Sequence, residues 1–328
     1  MQRFVFQRAT TSDAALAATR AGDAQYIAGG TTLVDLMRLE VMTPATVVDI
    51  TGLPLDQIEE GIAGGLKIGA LARNATVAHH PLVAKRFPVL AEALLSGASP
   101  QLRNMATTGG NLLQRTRCTY FRDGVSSCNK RAPGTGCAAL DGYNRMHAIL
   151  GTSDHCIAAH PSDMCVALLA LDAIIHVRGT GGARRLPISE LHALPGKTPS
   201  IEHAIAPGEL ITHVELLATA FSTRSHYLKV RDRSEFAFAL ASAAVALELR
   251  GGVIGDSRIA LGGVATKPWR AREAEQILAG KPPLASVFEQ AAKAALAGAM
   301  PRRHNKFKVE LAKRAIVRAL EELTGGAR

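Results

Sequence analysis

Residues 26–34 of this 328-residue chain read Tyr-Ile-Ala-Gly-Gly-Thr-Thr-Leu-Val, and they decide the fold. The residues before the glycines predict a strand over 25–28, and those after them predict a helix over 33–40. The Gly-Gly turn lets the backbone approach a ligand without a Cβ in the way. Amides at the start of such a helix, helped by the two threonine hydroxyls, can bind a diphosphate. A single Gly-Gly turn is also common between a strand and a helix, so the segment needs support from elsewhere.

A second glycine segment, residues 104–111, reads Asn-Met-Ala-Thr-Thr-Gly-Gly-Asn. Between the two segments lies a mostly helical pattern over 77–95, which Pro81 and Pro88 divide into pieces. The sequence contains neither a GxGxxG fingerprint nor a P-loop. Two Gly-Gly turns flanking a helical region, the second leading into a cysteine-rich stretch, indicate a ligand site more strongly than either turn alone.

The stretch 112–160 holds four of the five cysteines and has little periodicity, which predicts a long functional loop inserted in a regular domain. The spacing is C-x9-C-x8-C-x18-C, at Cys118, Cys128, Cys137 and Cys156. Zinc sites usually show closely paired cysteines, which this stretch lacks, whereas iron–sulfur clusters accept wider spacing. The residues alone leave three alternatives open: a cluster, zinc, or cysteines that are unliganded or disulfide-bonded.

The charge pattern around these cysteines favours a cluster. Six basic residues outnumber three acidic ones in the stretch, and cations stabilise an anionic cluster and raise its potential. The basic residues are Arg115, Arg117, Arg122, Lys130, Arg131 and Arg145. Cys165, in an apolar stretch, is expected to be a plain buried thiol. The nearby histidines are expected to be hydrogen-bonded structural residues more often than ligands: His147, His155 and His160.

Composition limits the remaining function classes. The length favours two domains, and 47% apolar with 20% charged residues rules out a disordered chain. Only 4% of the residues are aromatic, which argues against binding single-stranded nucleic acid by stacking. No apolar stretch long enough for a membrane span and no signal peptide are visible in the sequence. The net charge of +10 favours an anionic partner and keeps two alternatives of another class open, a nucleic-acid-binding protein and a zinc-stabilised structural protein.

Three segments together resemble one family, the FAD-binding subunits of molybdenum hydroxylases related to xanthine dehydrogenase. Residues 26–34 resemble the first flavin loop of that family, and Thr-Thr-Gly-Gly-Asn at 107–111 resembles the second. His-Pro-Ser-Asp at 160–163 resembles the downstream Ser-Asp element. The cysteine stretch is similar to that of the FAD subunits of bacterial periplasmic aldehyde oxidoreductases, which hold a [4Fe–4S] cluster besides FAD. The β subunit of 4-hydroxybenzoyl-CoA reductase is a weaker match.

The resemblance implies an α+β fold with two domains. Residues 1–220 would form a two-lobed FAD-binding domain of the vanillyl-alcohol oxidase (PCMH) type, with the [4Fe–4S] insert at about 112–160. Residues 221–328 would form a domain like the C-terminal domain of the carbon monoxide dehydrogenase flavoprotein. Within it the sequence indicates a strand at 227–230, an Ala-rich segment at 236–249, a hairpin at Gly251-Gly252 and terminal helices.

The resemblance also implies two cofactors, FAD and a [4Fe–4S] cluster, but no catalytic side chain, since the cofactors carry the chemistry. The diphosphate would lie on the first loop, Asp163 would hydrogen-bond the ribityl hydroxyls, and Lys229 would lie near the isoalloxazine. The implied cluster ligands are Cys118, Cys128, Cys137 and Cys156. The implied FAD-binding residues are Tyr26, Ile27, Ala28, Gly29, Gly30, Thr31, Thr32, Leu33, Val34, Thr108, Gly110, Asn111, Asp163 and Lys229.

The function implied by the resemblance is electron transfer within a heterotrimer. A large molybdenum-cofactor subunit would oxidise the substrate, and a small [2Fe–2S] subunit would pass electrons to this chain and on to an external acceptor. Neither nucleic-acid binding nor membrane insertion is implied. The subunit would be exported to the periplasm with a partner that carries the signal, or it would stay in the cytoplasm.

Overall fold

The computed structural model describes residues 1–20 and 22–325 of the chain. The last three residues of the predicted C-terminal domain, 326–328, lie outside the described residues. Mixed helix and strand content throughout confirms the predicted α+β class.

The first lobe is a small parallel sheet with two helices. Its elements are β1 (Val5–Arg8), α1 (Ser12–Ala18), β2 (Ala24–Ile27), α2 (Leu33–Arg38) and β3 (Thr46–Asp49). The strand order is β1-β3-β2, with the β-branched strand β3 in the centre. The first glycine segment therefore connects β2 to α2, as its sequence predicts.

The second lobe is an antiparallel five-stranded sheet covered by helices. Its strands are β4 (Ile58–Glu60), β5 (Leu66–Gly69), β6 (Ile174–Gly179), β7 (Gly182–Pro187) and β8 (Leu210–Leu216), in the order β4-β5-β8-β6-β7. Its helices are α3 (Asn74–His79), α4 (Pro81–Arg86), α5 (Pro88–Ser96), α6 (Pro100–Met105), α7 (Thr108–Leu112), α8 (Thr119–Arg122), α9 (Asp163–Ala170) and α10 (Ile188–Leu191). The predicted division by proline is confirmed, because Pro81 and Pro88 each begin a new helix, where a missing amide costs nothing.

The third unit is an antiparallel sheet backed by three helices. Its elements are β9 (Ser225–Val230), β10 (Ala241–Arg250), β11 (Val253–Gly262), β12 (Trp269–Arg270), α11 (Arg272–Leu278), α12 (Ala285–Ala295) and α13 (Phe307–Thr324). The strand order is β12-β11-β10-β9. The predicted hairpin is confirmed, since Gly251 and Gly252 both have positive φ, at 57° and 83°, between β10 and β11.

The Ala-rich segment forms most of β10, and its small side chains allow packing on both faces of the sheet. Ala244 belongs to the core that includes α5 and α9, whereas Ala243 and Val245 belong to the core under α12 and α13. All eight residues of α9 are buried, and this helix contacts α5 on one side and β10 and β11 on the other. The third unit is thus packed directly against the helix that begins at Asp163.

Candidate functional site

The two glycine segments meet in the folded chain. Gly30 adopts a positive φ of 70°, which a residue without a Cβ reaches at no steric cost. A Cβ added at Gly29 would lie 1.9 Å from the Met105 carbonyl oxygen, so only glycine fits there. Because Met105 ends α6 and belongs to the second segment, the loop after β2 lies against the entry to α7. The predicted first and second flavin loops are therefore neighbours.

The second segment is held by local hydrogen bonds. Thr107 caps α7, since its hydroxyl accepts the Gly110 amide at 3.2 Å. The Thr108 hydroxyl donates to the Ala72 carbonyl at 3.1 Å, and the Gly109 amide donates to the Ala70 carbonyl at 2.7 Å. The loop is thereby fixed to the chain just after β5.

The Ser-Asp element joins the same site through a side-chain hydrogen bond. The Ser162 hydroxyl donates to Asn111 Oδ1 at 2.6 Å, and it also accepts the Cys165 amide at 3.0 Å as the cap of α9. The structure thus brings together all three segments on which the resemblance rests. Their contact with FAD stays a prediction.

Asp163 carries the densest polar cluster in this region. Its carboxylate is nearly buried and accepts two hydrogen bonds, one at each oxygen: the Tyr227 hydroxyl donates to Oδ1 at 2.6 Å and the Lys229 ammonium donates to Oδ2 at 2.8 Å. Lys229 Nζ also donates to the Ser96 carbonyl at 3.0 Å. Each carboxylate oxygen has a second lone pair, so Asp163 can accept further bonds from a ligand. The two predicted residues Asp163 and Lys229 are therefore an ion pair.

Tyr227 was missed by the sequence reasoning, although a signal for it existed. Residues two apart on a strand point to the same face, and 227–230 was predicted to be a strand. Lys229 therefore implies that Tyr227 faces the same way. That this face meets Asp163, 64 residues earlier in the chain, depends on how the third unit packs against α9.

A cleft of about 220 Å³ runs from Asp163 to the cysteine stretch. Its walls include His160, Ser162 and Asp163 at one end and Cys118 and His147 at the other. Phe238 and Gly263, from the third unit, close one side. A mostly apolar lining with a few polar groups is typical of cofactor sites.

The cysteine stretch is anchored to α2, the helix after the first glycine segment. Arg117 and Arg122 both donate to Asp35 Oδ2, at 2.9 and 2.7 Å. Beneath them, Cys128 is buried in an apolar cluster with Leu36 of α2 and Phe121 of α8. The stretch therefore packs on the first lobe and is not a detached loop.

The four cysteines of the predicted ligand set converge, and all four are free thiols. Cys128 and Cys137 face each other in an isolated antiparallel bridge. Burial raises the pKa of the Cys118 thiol to about 12, the Phe121 and Tyr120 amides lower it, and the nearby thiols of Cys128 and Cys156 raise it further. A bound metal would be needed to hold such thiols as thiolates.

The four thiols do not form a compact metal-binding group in the described part of the chain. Tetrahedral zinc with Zn–S bonds of about 2.3 Å brings its sulfur ligands within roughly 4 Å of one another. Among the described residues, no three of these four thiols form a group within 4.8 Å of one another. The ligand set therefore stays a prediction.

Most of the predicted tuning cations have structural partners. Arg115 pairs with Glu202 at 2.6 Å, and Arg145 pairs with Asp232 at 2.7 Å. Arg131 donates to the carbonyls of Tyr120 and Phe121, both at 2.8 Å. Lys130 likewise donates to the Pro199 carbonyl at 2.9 Å, and its charge lowers the pKa of the Cys156 thiol, which burial otherwise raises. The effect of these cations on a cluster stays a prediction.

Two of the three histidine predictions can be assessed. His160 behaves as expected of a structural residue, since its Nδ1 accepts the Ser162 amide at 3.3 Å. His147 is hydrogen-bonded as well, but to one of the predicted ligands, since its Nε2 lies 3.1 Å from Cys118 Sγ inside the cleft. Cys165 is fully buried, and the prediction of a plain buried thiol is confirmed. His160, Cys165 and His192 lie close together, but His192 Nε2 already donates to the Leu112 carbonyl at 2.9 Å.

The basic surface gives little support to the nucleic-acid alternative. On α13, Lys313 pairs with Glu310 and Arg318 with Glu322, both at 2.7 Å, as on an ordinary solvated helix face. These two cations of α13 are thus locally neutralised. Within the described ranges, no helix has the length and apolarity that crossing a membrane requires.

Comparisons with known proteins cover nearly the whole chain. Residues 2–216 match the family described as "FAD binding domain in molybdopterin dehydrogenase", and residues 226–323 match "CO dehydrogenase flavoprotein C-terminal domain". The chain is 49% identical over 325 residues to the aldehyde oxidoreductase FAD-binding subunit PaoB of Escherichia coli (strain K12), with 98% of each chain covered. It is 28% identical to the glyceraldehyde dehydrogenase medium chain of Sulfolobus acidocaldarius, over 85% of this chain and 82% of the relative.

A solved structure agrees with this assignment at the level of the fold. Reconstituted CO dehydrogenase from Oligotropha carboxidovorans contains a chain that superposes with a TM-score of 0.78 at 24% identity, with 99% of both chains covered. Together these matches confirm the predicted fold, a two-lobed FAD-binding domain followed by a domain like that of the CO dehydrogenase flavoprotein.

Proposed function

Because the chain belongs to the family of FAD-binding subunits of molybdenum hydroxylases, we propose that it is the electron-transfer subunit of an aldehyde oxidoreductase. In this role the subunit accepts electrons from partner subunits and passes them to an external acceptor. The partners are a large molybdenum-cofactor subunit and a small [2Fe–2S] subunit, in a heterotrimer. The observation that carries the proposal is the near-full-length identity to an aldehyde oxidoreductase subunit, together with the contacts that join the three segments to one another.

FAD fits the residues that the fold brings together. Gly29 leaves the first loop without a Cβ where it touches the second, and the cleft beside Asp163 has a mostly apolar lining. The loop at 26–34 would hold the diphosphate, and Asp163 would accept from the ribityl hydroxyls. Lys229 would supply a positive charge near the ring. FAD, when bound, supplies a centre that can take up electrons singly from an iron–sulfur donor and release them singly or in pairs.

A [4Fe–4S] cluster fits the four converging thiols of Cys118, Cys128, Cys137 and Cys156. Cys128 and Cys156 are buried and Cys118 and Cys137 are half-buried, which limits the access of water to the site. The amides near Cys118 and the charge of Lys130 near Cys156 would offset the negative charge of such a group. The chain's contribution is to hold this group on the first lobe, at one end of the cleft that leads to Asp163.

The aldehyde assignment rests on the relative with 49% identity. The alternative is a subunit like the β subunit of 4-hydroxybenzoyl-CoA reductase, which runs in the reducing direction. Substrate turnover by the assembled complex separates the two, since only the first oxidises aldehydes with a dye as acceptor. We further propose that the subunit reaches the periplasm with a partner that carries the export signal. Cell fractionation with and without the partner subunits tests this, and export of the chain alone would contradict it.

The cofactors are tested by quantifying FAD, iron and acid-labile sulfide on one anaerobically purified sample. We expect about one FAD and about four each of iron and sulfide per chain. Cys128→Ser should lose the iron and keep most of the FAD. Cys165→Ala is the matched control, because this thiol is buried outside the ligand set, and it should keep both.

Three outcomes would contradict parts of this proposal. Unchanged iron in Cys128→Ser would overturn the ligand assignment. FAD without iron in the unaltered chain would restrict the proposal to a flavoprotein. A colourless chain containing zinc, even when produced with the partner subunits, would overturn both cofactors and restore the structural alternative.

A further inference from the structure

The carboxylate of Asp163 is oriented by a residue of the other domain. Tyr227 is the third residue of β9, it is 4% exposed, and its ring packs in the core that also contains α9. Its hydroxyl donates to Asp163 Oδ1 at 2.6 Å, the short distance typical of a bond to a charged acceptor. Burial raises the pKa of Tyr227 well above its usual value, so the phenol keeps the proton that it donates.

Lys229 alone would not fix the orientation of this carboxylate. Its ammonium approaches Oδ2, and one contact leaves the carboxylate free to rotate about its bond to Cβ. The Tyr227 hydroxyl occupies the other oxygen, so the two donors together determine the plane of the group. Gly97 leaves space for the carboxylate on a further side, because a Cβ added there would lie 3.2 Å from Oδ2.

Asp163 also forms part of the cleft wall, so its orientation determines which lone pairs face a ligand. We propose that Tyr227 is a positioning residue for flavin binding, which holds the Asp163 carboxylate toward the ribityl and ring portion of FAD from across the domain boundary. This inference rests on the proposed function, in that it requires FAD in the cleft. It adds a residue that neither the glycine loops nor the Ser-Asp element contains.

The same strand offers a matched control. Ser225 is also buried, and it also connects β9 to the second lobe, since its hydroxyl accepts the Val89 amide at 3.3 Å. It donates to the Ser222 carbonyl at 2.7 Å and makes no contact with Asp163 among its hydrogen bonds in the described structure. Ser225→Ala therefore removes interdomain hydrogen bonding of the same strand without disturbing the carboxylate.

The experiment compares the affinities for FAD and ADP of the full-length chain after removal of its flavin. ADP carries the diphosphate and adenosine of FAD but lacks the ribityl and ring portion. In Tyr227→Phe we expect FAD affinity to fall about tenfold, the range expected for one hydrogen bond to a charged group, and ADP affinity to stay within about twofold. In Ser225→Ala both affinities should match those of the unaltered chain.

The outcomes separate this inference from the function on which it rests. Unchanged FAD affinity in Tyr227→Phe, with normal binding by the unaltered chain, would overturn the positioning role and leave the proposed function intact. An equal fall in FAD and ADP affinity would also overturn it, since it would mark Tyr227 as general support for the fold. Failure of the unaltered chain to bind FAD would overturn the proposed function itself.

Discussion

At the scale of single residues, glycine and cysteine could be identified from the sequence because their chemistry is local. A Gly-Gly turn restricts what the backbone does at that point, and four cysteines in one stretch indicate a shared ligand whatever the fold. Tyr227 and His147 could not be identified in this way. The role of each depends on a side-chain contact with a residue far along the chain, Asp163 for Tyr227 and Cys118 for His147.

Gly29 provides the test at this scale. We expect Gly29→Ala to destabilise the chain by about 1–3 kcal/mol, because the added Cβ would overlap the Met105 carbonyl oxygen and force the two loops apart. FAD content should fall with it. Chemical denaturation and flavin quantification measure both effects. Gly52→Ala is the control, since an added Cβ there meets nothing within 4 Å, and a similar loss in that variant would contradict the steric argument.

At the scale of elements, the prolines predicted two helix boundaries well. Pro81 and Pro88 begin α4 and α5 because proline lacks the amide that a helix interior requires. The composition of the Ala-rich segment did not predict whether it forms a helix or a strand. Alanine favours helices, yet this segment forms β10, which needs small side chains on both faces. The contact between the cysteine stretch and α2 could not be predicted from the sequence either, because it joins the single carboxylate of Asp35 to two distant arginines.

The contact between the cysteine stretch and α2 can be tested through Asp35. Asp35→Ala leaves Arg117 and Arg122 without their shared acceptor, so we expect faster proteolysis within 113–162 and partial loss of iron during gel filtration. The stability cost should be at most about 1–2 kcal/mol, because the carboxylate is partly exposed and solvent screens the pairs. Asp154→Ala is the control, since that side chain is 98% exposed and lies 3.8 Å from its arginine. Equal protease sensitivity in the two variants would contradict the anchoring role.

At the scale of the whole molecule, the comparison with relatives defined the fold and the family, whereas packing between the domains had to be read from the structure. His226 of β9 illustrates this packing. Its Nδ1 lies 2.9 Å from Glu92 of α5, and its Nε2 lies 3.0 Å from Glu322 of α13. One imidazole therefore bridges the second lobe and the C-terminal helix.

This bridge predicts a pH dependence of stability. The hydrogen bond to Glu92, with the charges of Glu92 and Glu322, raises the pKa of His226 above 6.5 in the folded chain. A histidine whose pKa is higher in the folded chain stabilises the fold fully at pH values below its pKa in the unfolded chain, about 6.5. This stabilisation is lost as the pH rises through the pKa in the folded chain. We expect His226→Gln to cost about 1 kcal/mol near pH 5.5 and little near pH 9.

Unfolding by urea at the two pH values measures this difference. The exposed His79→Gln is the control and should show no such dependence on pH. A cost in His226→Gln that is equal at both pH values would contradict the role of the imidazolium.

The order of synthesis gives the Asp163 cluster a further consequence. Lys229 follows Asp163 by 66 residues (229 minus 163), and α13, which packs on β9, is the last element of the described chain. At about 5–20 residues per second, the ribosome needs several seconds between making the carboxylate and making its two donors. A nascent chain that has just emerged as far as α9 lacks both donors to Asp163 and the sheet that buries this helix in the finished fold. Under the proposed function, capture of FAD at this carboxylate would therefore be a late event, which belongs to the released polypeptide and not to the growing one.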